Sequence, residues 1–208
     1  MIASRIIPAF LSVLLFSGCL PPLSIHPYYL EDNVIFDEAL LGRWVIDEEN
    51  GSVVELTFKK GEDLGYEVIY KEGKEEMLFE ANLFEWDQVR LLDFYPKLSD
   101  GESHRFDLLP MHTLFKLTMQ EAGLHIVMLD STWLIEKVKE GIPLEHTVIK
   151  GEGKYSSDDI ILSGDTSQLQ EFLKNYVLRD KEAFEEETNN TAFLKKDISF
   201  PNSEGNSQ

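Results

Sequence analysis

From Trp44 to Gln120, apolar and polar residues alternate with a period of two, and this constrains the fold more than any other feature. Successive side chains of a β-strand point to opposite faces, so the alternation predicts strands that are buried on one face. The apolar members of the four clearest runs are Val54, Leu56 and Phe58; Leu64, Tyr66, Val68 and Tyr70; Met77, Phe79, Ala81 and Leu83; and Phe115, Leu117 and Met119. Turn sequences separate the runs at 49–51, 60–63, 72–73, 99–101 and 121–123. The sequence predicts a mainly β (α+β) fold, an antiparallel meander that forms a barrel or a curved sheet.

Two helices are predicted toward the C-terminus. Asp130 or Ser131 caps the first, and the second begins at 165–167 with a capping box from Ser167 to Gln170. The apolar residues of the second helix form one stripe, Leu169, Phe172, Leu173, Tyr176 and Val177. We expect this stripe to pack on the sheet or on the barrel mouth. Two short strands are predicted between the helices, near 144–149 and 159–162.

The charge of the chain restricts its partners. The sequence has 19 Lys and Arg residues against 38 Asp and Glu residues, a net charge of −19. Such a surface repels phosphate backbones, so nucleic acid is excluded as the expected partner. The chain has 1 Cys, which excludes an intramolecular disulfide framework and a metal site built from several cysteines.

Residues 1–18 have the pattern of a signal peptide. Arg5 is their only charged residue, and the run 6–16 is apolar apart from Ser12. A helix of this length spans about 16 Å, roughly half of a bilayer's hydrocarbon core. The run is therefore a signal-peptide core and not a membrane span, and no later segment is long and apolar enough to be one.

The residues that follow this run are Phe16-Ser17-Gly18-Cys19. They resemble the lipobox of bacterial lipoprotein precursors, although Leu is commonest where this chain has Phe16. The resemblance implies cleavage between Gly18 and Cys19 and a diacylglycerol thioether on Cys19. It places the protein in the bacterial cell envelope, lipid-anchored to a membrane, which is the periplasmic side of the outer membrane if the cell is Gram-negative.

Cleavage would remove one basic residue, Arg5, and no acidic one, leaving 18 − 38 = −20. Anionic lipid would repel such a body, so the acyl chains must supply the anchoring. We expect four parts: the signal peptide 1–18, the lipidated Cys and an extended tether 19–36, a β domain 37–178 and a polar, flexible tail 179–208.

The start of the β domain carries a second resemblance. Asp37 caps a short helical turn, 38–41, which Gly42 ends before Gly42-Arg43-Trp44 begins the first long strand. This order resembles the opening of lipocalin-like barrels and implies that Trp44 plugs the barrel base. The later lipocalin features, a Thr-Asp turn and an Arg on the last strand, are not recognisable.

A longer resemblance is to a family of uncharacterised bacterial lipoproteins with a lipocalin-like β domain. It covers most of the mature domain and is carried by His26-Pro27-Tyr28, Val34, Phe36-Asp37, Leu40, Gly42-Arg43-Trp44, Leu108-Leu109-Pro110-Met111-His112 and the helix at 165–177. That family implies no established activity.

Three histidines are the candidates for metal chemistry. His104, His112 and His125 lie in a predicted run of three strands, and a tight hairpin centred on residue 108 would set His104 opposite His112. Two facing histidines would be half of a metal site. The alternative is that these histidines are scattered on the polar face of a sheet. We assign no catalytic residue and no cofactor.

Other patterns lack the spacing that their chemistry needs. Gly151-Glu152-Gly153-Lys154 has Val148 and Tyr155 where a phosphate-binding loop needs Gly and Ser or Thr. The sequence contains no Gly-x-Ser-x-Gly. Asp158-Asp159 with Asp165 would bind Ca²⁺ weakly, because no EF-hand spacing is present.

Two hypotheses about function follow. The first is a non-enzymatic binding or structural module for a small apolar ligand or a partner protein, and an apolar barrel interior would favour it. The second is an envelope hydrolase, which a cleft where His104 or His112 meets a buried acid would favour. An enclosed cavity above about 300 Å³ would support a ligand pocket.

Overall fold

The computed structural model describes residues 21–47, 53–97, 110–151, 158–185 and 190–199. Within these ranges the chain forms twelve β-strands and two α-helices. The strands are β1 Leu23–Ser24, β2 Val34–Ile35, β3 Gly42–Asp47, β4 Val53–Lys60, β5 Tyr66–Glu72, β6 Glu75–Trp86, β7 Val89–Lys97, β8 His112–Gln120, β9 Gly123–Met128, β10 His146–Ile149, β11 Asp159–Leu162 and β12 Thr191–Lys196. The helices are α1 Ser131–Glu140 and α2 Thr166–Asn175. Short 3₁₀ turns span Glu31–Asn33, Glu38–Leu40, Val177–Arg179 and Lys181–Phe184.

Eight of the strands close into an antiparallel barrel. Strands β3 to β9 pair in chain order, and β12 pairs with both β9 and β3, so that the ring is complete. The predicted mainly β fold, with an antiparallel barrel and two helices toward the C-terminus, is confirmed.

The prediction of a flexible tail over 179–208 is wrong for the part of this range that the structure describes. Thr191–Lys196 is the eighth barrel strand, and the turn Lys181–Phe184 buries Ala183 and Phe184. The sequence of β12 is short and rich in lysine, with Leu194 as its one fully buried residue, so its alternation is weak. The pairing with two neighbouring strands stabilises it instead.

The extended tether predicted over 19–36 is part of the folded domain from residue 21 onward, which corrects that boundary. Pro21 and Pro22 are buried, and β1 and β2 pair with strands of the sheet. Prolines keep this segment extended as expected, but they pack against the domain. β1 pairs with the start of β8 on one side and with β11 on the other, and β11 pairs with β10. These three strands extend the sheet beyond the barrel.

The fold has two apolar clusters, one inside the barrel and one outside it. The inner cluster contains Leu40, Trp44, Val54, Leu56, Phe58, Tyr66, Val68, Tyr70, Ala81, Leu83, Leu92, Phe94, Leu117, Leu124, Ile126 and Leu194. The outer cluster lies between α1, α2 and the outer face of β6 to β9, where Phe84, Leu91, Leu114 and Val127 are buried. These strands are therefore apolar on both faces, and their period of two is weaker than elsewhere.

The helices begin and end largely as their sequences predict. Asp130 caps α1 by accepting a hydrogen bond from Trp133 N at 2.7 Å, and Gly141 ends α1 with a φ of 85°. The predicted capping box of α2 is wrong: Asp165 and Gln168 form it instead of Ser167 and Gln170. The predicted stripe is confirmed, with four of its members buried and Tyr176 partly buried.

One glycine allows β12 to approach the barrel. Gly123 has a φ of 156°, and a Cβ atom built there would lie 2.2 Å from the carbonyl oxygen of Leu194. Such a distance is far inside van der Waals contact. Gly123 is therefore required for the pairing of β9 with β12.

Candidate functional site

Trp44 closes one end of the barrel. Its ring is 2% exposed, and its indole N–H donates to the carbonyl oxygen of Leu40 at 2.7 Å. Lys196 of β12 lies over the ring, with its Nζ 5.3 Å from the centroid, and donates to Ala39 O at 3.0 Å. The last strand thus supplies a lysine and not the arginine of the lipocalin pattern. The expected plug with a satisfied indole is confirmed.

Asp37 holds the turn that carries Leu40 against the barrel. Its Oδ2 accepts from Arg90 at 2.6 Å, and its backbone N–H donates to the Tyr66 hydroxyl at 2.6 Å. Burial alone would raise the pKa of Asp37, but hydrogen bonds from the Ala39 amide and from Arg90 bring it below its ordinary value. This end is a closed structural base.

Side chains fill the interior above this base. The rings of Phe58, Phe79 and Phe115 all contact Phe94 edge to face, with centroids 6.3, 5.7 and 5.2 Å away. Toward the opposite end Phe79, Phe115 and Met77 are only partly buried. Among the described residues, this end of the barrel, the mouth, is lined by apolar side chains above a packed core.

A shallow surface depression lies outside the barrel. Its lining is formed by Pro22, Ser131, Leu134, Ile135, Asp158, Asp159 and Ile160. The depression encloses almost no space of its own, whereas small-molecule pockets begin at roughly 300 Å³.

The most buried charged group of the described residues is Asp93, on the outer face of β7. It is 1% exposed; its Oδ2 accepts from the Tyr28 N–H at 2.8 Å, and its Oδ1 lies 2.7 Å from His112 Nδ1. Tyr95 packs on the His112 ring, with centroids 4.6 Å apart. The carboxylate therefore joins the N-terminal segment to β7 and β8.

Burial raises the pKa of Asp93 above its ordinary value of 3.8, although His112 and the Tyr28 N–H act in the opposite direction. The folded protein therefore holds this proton to a higher pH than the unfolded chain does. The stability that Asp93 contributes is fully present below its ordinary pKa and is lost as the pH rises through the raised value.

Polar groups around Asp93 fix residues 28–33 between the barrel and α2. Gln170 donates to Tyr28 O and accepts from Asn33 Nδ2, the latter at 3.3 Å. Burial, and after it the charge of Asp93, raise the pKa of Tyr28 and bring that of Tyr29 to about 12. Both phenols therefore stay protonated at neutral pH.

Sequence reasoning missed Asp93 and Gln170. Asp93 interrupts the run Leu91-Leu92-Asp93-Phe94, and Gln170 lies beside the apolar stripe of α2. A polar residue within an apolar run was the available signal. The backbone partner of both residues is Tyr28. It could not be identified from the sequence, because it lies 65 residues from Asp93 and 142 residues from Gln170 along the chain.

The structure does not bring the described candidate histidines together. His112 contacts Asp93, whereas His125 Nε2 lies 2.7 Å from Thr191 Oγ1 on β12. His104 lies outside the described residues, as do Gly18 and Cys19. Across the described ranges no group of three or more His, Cys, Asp or Glu residues is placed to hold a metal ion.

The acidic residues considered for Ca²⁺ have other contacts. Asp158 Oδ2 accepts from Lys150 Nζ at 2.6 Å, and Asp165 caps α2. Hydrogen bonds from Lys150 and from Ser167 lead the interactions that lower the pKa values of Asp158 and Asp165, respectively. These interactions account for both carboxylates within the protein.

An eight-stranded antiparallel barrel, closed at one end by a tryptophan next to a short helical turn, is a lipocalin-like barrel. Comparison with protein-family models, with curated proteins and with solved structures finds no match to this chain. In the part of the chain that the structure describes, no helix has the length and apolarity needed to cross a bilayer.

Proposed function

We propose that this protein is a bacterial envelope lipoprotein, held to a membrane by acyl chains on Cys19, that acts as a non-enzymatic binding or structural module. The proposal of a binding or structural module rests on the packed interior of the barrel. A barrel filled by its own side chains offers its rim and outer surface to other molecules. A partner protein, or one apolar group at the mouth, is therefore its proposed binding partner.

The mouth supplies the chemistry for such contact. Phe79, Phe115 and Met77 are partly exposed there, above the buried ring of Phe94. Aromatic and methionine side chains bind apolar groups without a rigid shape requirement. The proposed ligand is thus a single apolar side chain or acyl end rather than a large enclosed molecule.

The lipid anchor is tested by Cys19→Ser in cells that receive labelled fatty acid. We expect the wild-type chain to carry label and to float with membranes, and the variant to lose both properties while keeping its melting temperature. Intact-mass spectrometry of the wild-type protein is the control. An unmodified Cys19 would reject the lipoprotein proposal.

The mouth is tested with a fluorescent apolar probe, anilinonaphthalene sulfonate, on the soluble Cys19→Ser chain. We expect weak binding that Phe115→Ala reduces and that Thr57→Ala, a substitution on the outer face of β4, leaves unchanged. Equal binding by both variants would place the apolar site elsewhere.

One observation favours the alternative, an envelope hydrolase. His112 is held through Nδ1 by the buried Asp93, the connectivity of a general base whose Nε2 takes the proton. The other carboxylate oxygen of Asp93 binds the Tyr28 N–H, so the pair also has a structural role. Hydrolysis of short-chain esters that His112→Gln abolishes without lowering the melting temperature would support the enzyme; no hydrolysis would support the binding module.

A further inference from the structure

The chain between the proposed lipid and the folded domain is very short. Pro21 and Pro22 are buried, and Leu23 and Ser24 pair with both β8 and β11. Leu20 alone separates Cys19 from Pro21. The first fixed point of the domain thus comes two residues after the lipidated residue.

Covalent geometry limits how far the domain can stand from the bilayer. Two residues of fully extended chain span at most about 7 Å. Acyl chains must lie within the hydrocarbon, so Cys19 lies at the membrane surface. Pro21 and its neighbours therefore cannot leave the interfacial region, whatever path the two residues take.

The strand register identifies the surface around Pro21. β1 runs parallel to β11 with Leu23 beside Ile161, which sets the start of β1 near Asp159. Ile149, at the end of β10, pairs with Asp159. The depression that Pro22 shares with the start of α1 lies at the same place.

This end of the sheet has exposed apolar side chains and an exposed lysine. Val148 and Ile149 are 36% and 47% exposed, and Lys150 follows them with its side chain 78% exposed. The Nζ of Lys150 lies 2.6 Å from Asp158 Oδ2, so this lysine offsets the charge of that carboxylate on a strongly acidic protein. Apolar groups beside a lysine are suited to the boundary between headgroups and hydrocarbon.

We infer that a defined surface of the domain, the anchor face, rests on the lipid bilayer. The anchor face is the surface around the buried Pro21 and Pro22, formed by residues 148–150 at the end of β10 and by the beginning of β11. This inference depends on the proposed acylation of Cys19. The acyl chains supply the affinity, and the anchor face sets the orientation of the barrel with respect to the membrane.

The test uses the acylated protein with one added cysteine. Because the natural Cys19 is blocked as a thioether, Ile149→Cys provides the single free thiol for an environment-sensitive fluorophore. Leu64→Cys is the matched control: Leu64 is 47% exposed, like Ile149, and follows β4, which is opposite β8 in the ring of eight strands.

Each labelled protein is reconstituted into vesicles of phosphatidylethanolamine and phosphatidylglycerol. We expect the fluorophore at 149 to shift to the blue and to lose intensity when nitroxide-labelled lipid is added, and the fluorophore at 64 to do neither. A Gly/Ser insertion of about 12 residues before Pro21 adds roughly 20 Å of reach and should abolish the response at 149 while the protein still floats.

The outcomes separate this inference from the function on which it depends. Flotation of the acylated protein with equal responses at 149 and 64, or with none at 149, overturns the anchor face alone. Failure of the wild-type protein to float, or flotation of Cys19→Ser, overturns the lipoprotein proposal and the anchor face with it.

Discussion

Replacing Gly123 with alanine tests whether β12 completes the barrel. The added Cβ would lie 2.2 Å from the Leu194 carbonyl oxygen and 2.9 Å from the Phe193 ring, and the first of these atoms is backbone that a side-chain rotation cannot move. Either β12 shifts away or β9 adopts a strained backbone. Overpacking and strain each cost about 1–3 kcal/mol, and partial exposure of Leu194 adds to them. We expect the free energy of unfolding to fall by about 3–5 kcal/mol.

Gly73→Ala is the matched control for this substitution. Gly73 also has a positive φ, 58°, but no atom lies within 4 Å of a Cβ built there. The free energy of unfolding of Gly73→Ala should fall only by the cost of the left-handed conformation, about 1–2 kcal/mol. Urea unfolding of the soluble Cys19→Ser chain, followed by circular dichroism, measures both variants. Equal losses would refute the role of Gly123 in the contact between β9 and β12.

Substitutions at three further positions examine the base, the helix layer and the buried acid. Trp44→Ala should lower the free energy of unfolding by about 3–5 kcal/mol and Trp44→Phe by less, because only the alanine leaves the base empty. Ready quenching of Trp44 fluorescence by acrylamide would contradict the burial of this ring. Phe172→Ala should cost about 3–5 kcal/mol, and a melting temperature within a few degrees of wild type would mean that α2 does not pack as described. Asp93→Asn mimics the protonated acid, so this variant should be more stable than wild type at neutral pH. The stabilities of the two proteins should converge as the pH falls toward the ordinary range of aspartate. A stability difference that does not depend on pH would show that Asp93 does not titrate in this way.

The barrel could be predicted because its inner face repeats a simple pattern. Leu56 and Phe58, or Val68 and Tyr70, alternate with solvated residues, and each such run must bury one face. The base could be predicted from Asp37, Gly42 and Trp44, because capping and a positive φ restrict which residues fit.

The last strand and the polar cluster could not be predicted in the same way. β12 contributes Leu194 as its one fully buried residue, so its place depends on partners elsewhere in the sheet. The contact between Asp93 and His112 depends on the register of β7 against β8, which the residues joining these strands do not reveal. Both features result from tertiary pairing that no local pattern records.

The position of β12 also determines when the protein can fold. Trp44 and Lys196 pair across about 150 residues of chain, and ribosomes make proteins from the N-terminus. Until β12 has been made, β3 and β9 would each have an open edge that could pair with other chains. Such long-range closure is slow, because loop entropy must be lost before the contacts form. Completion of the barrel therefore waits for β12, and chains that end before β12 would be prone to aggregation and proteolysis.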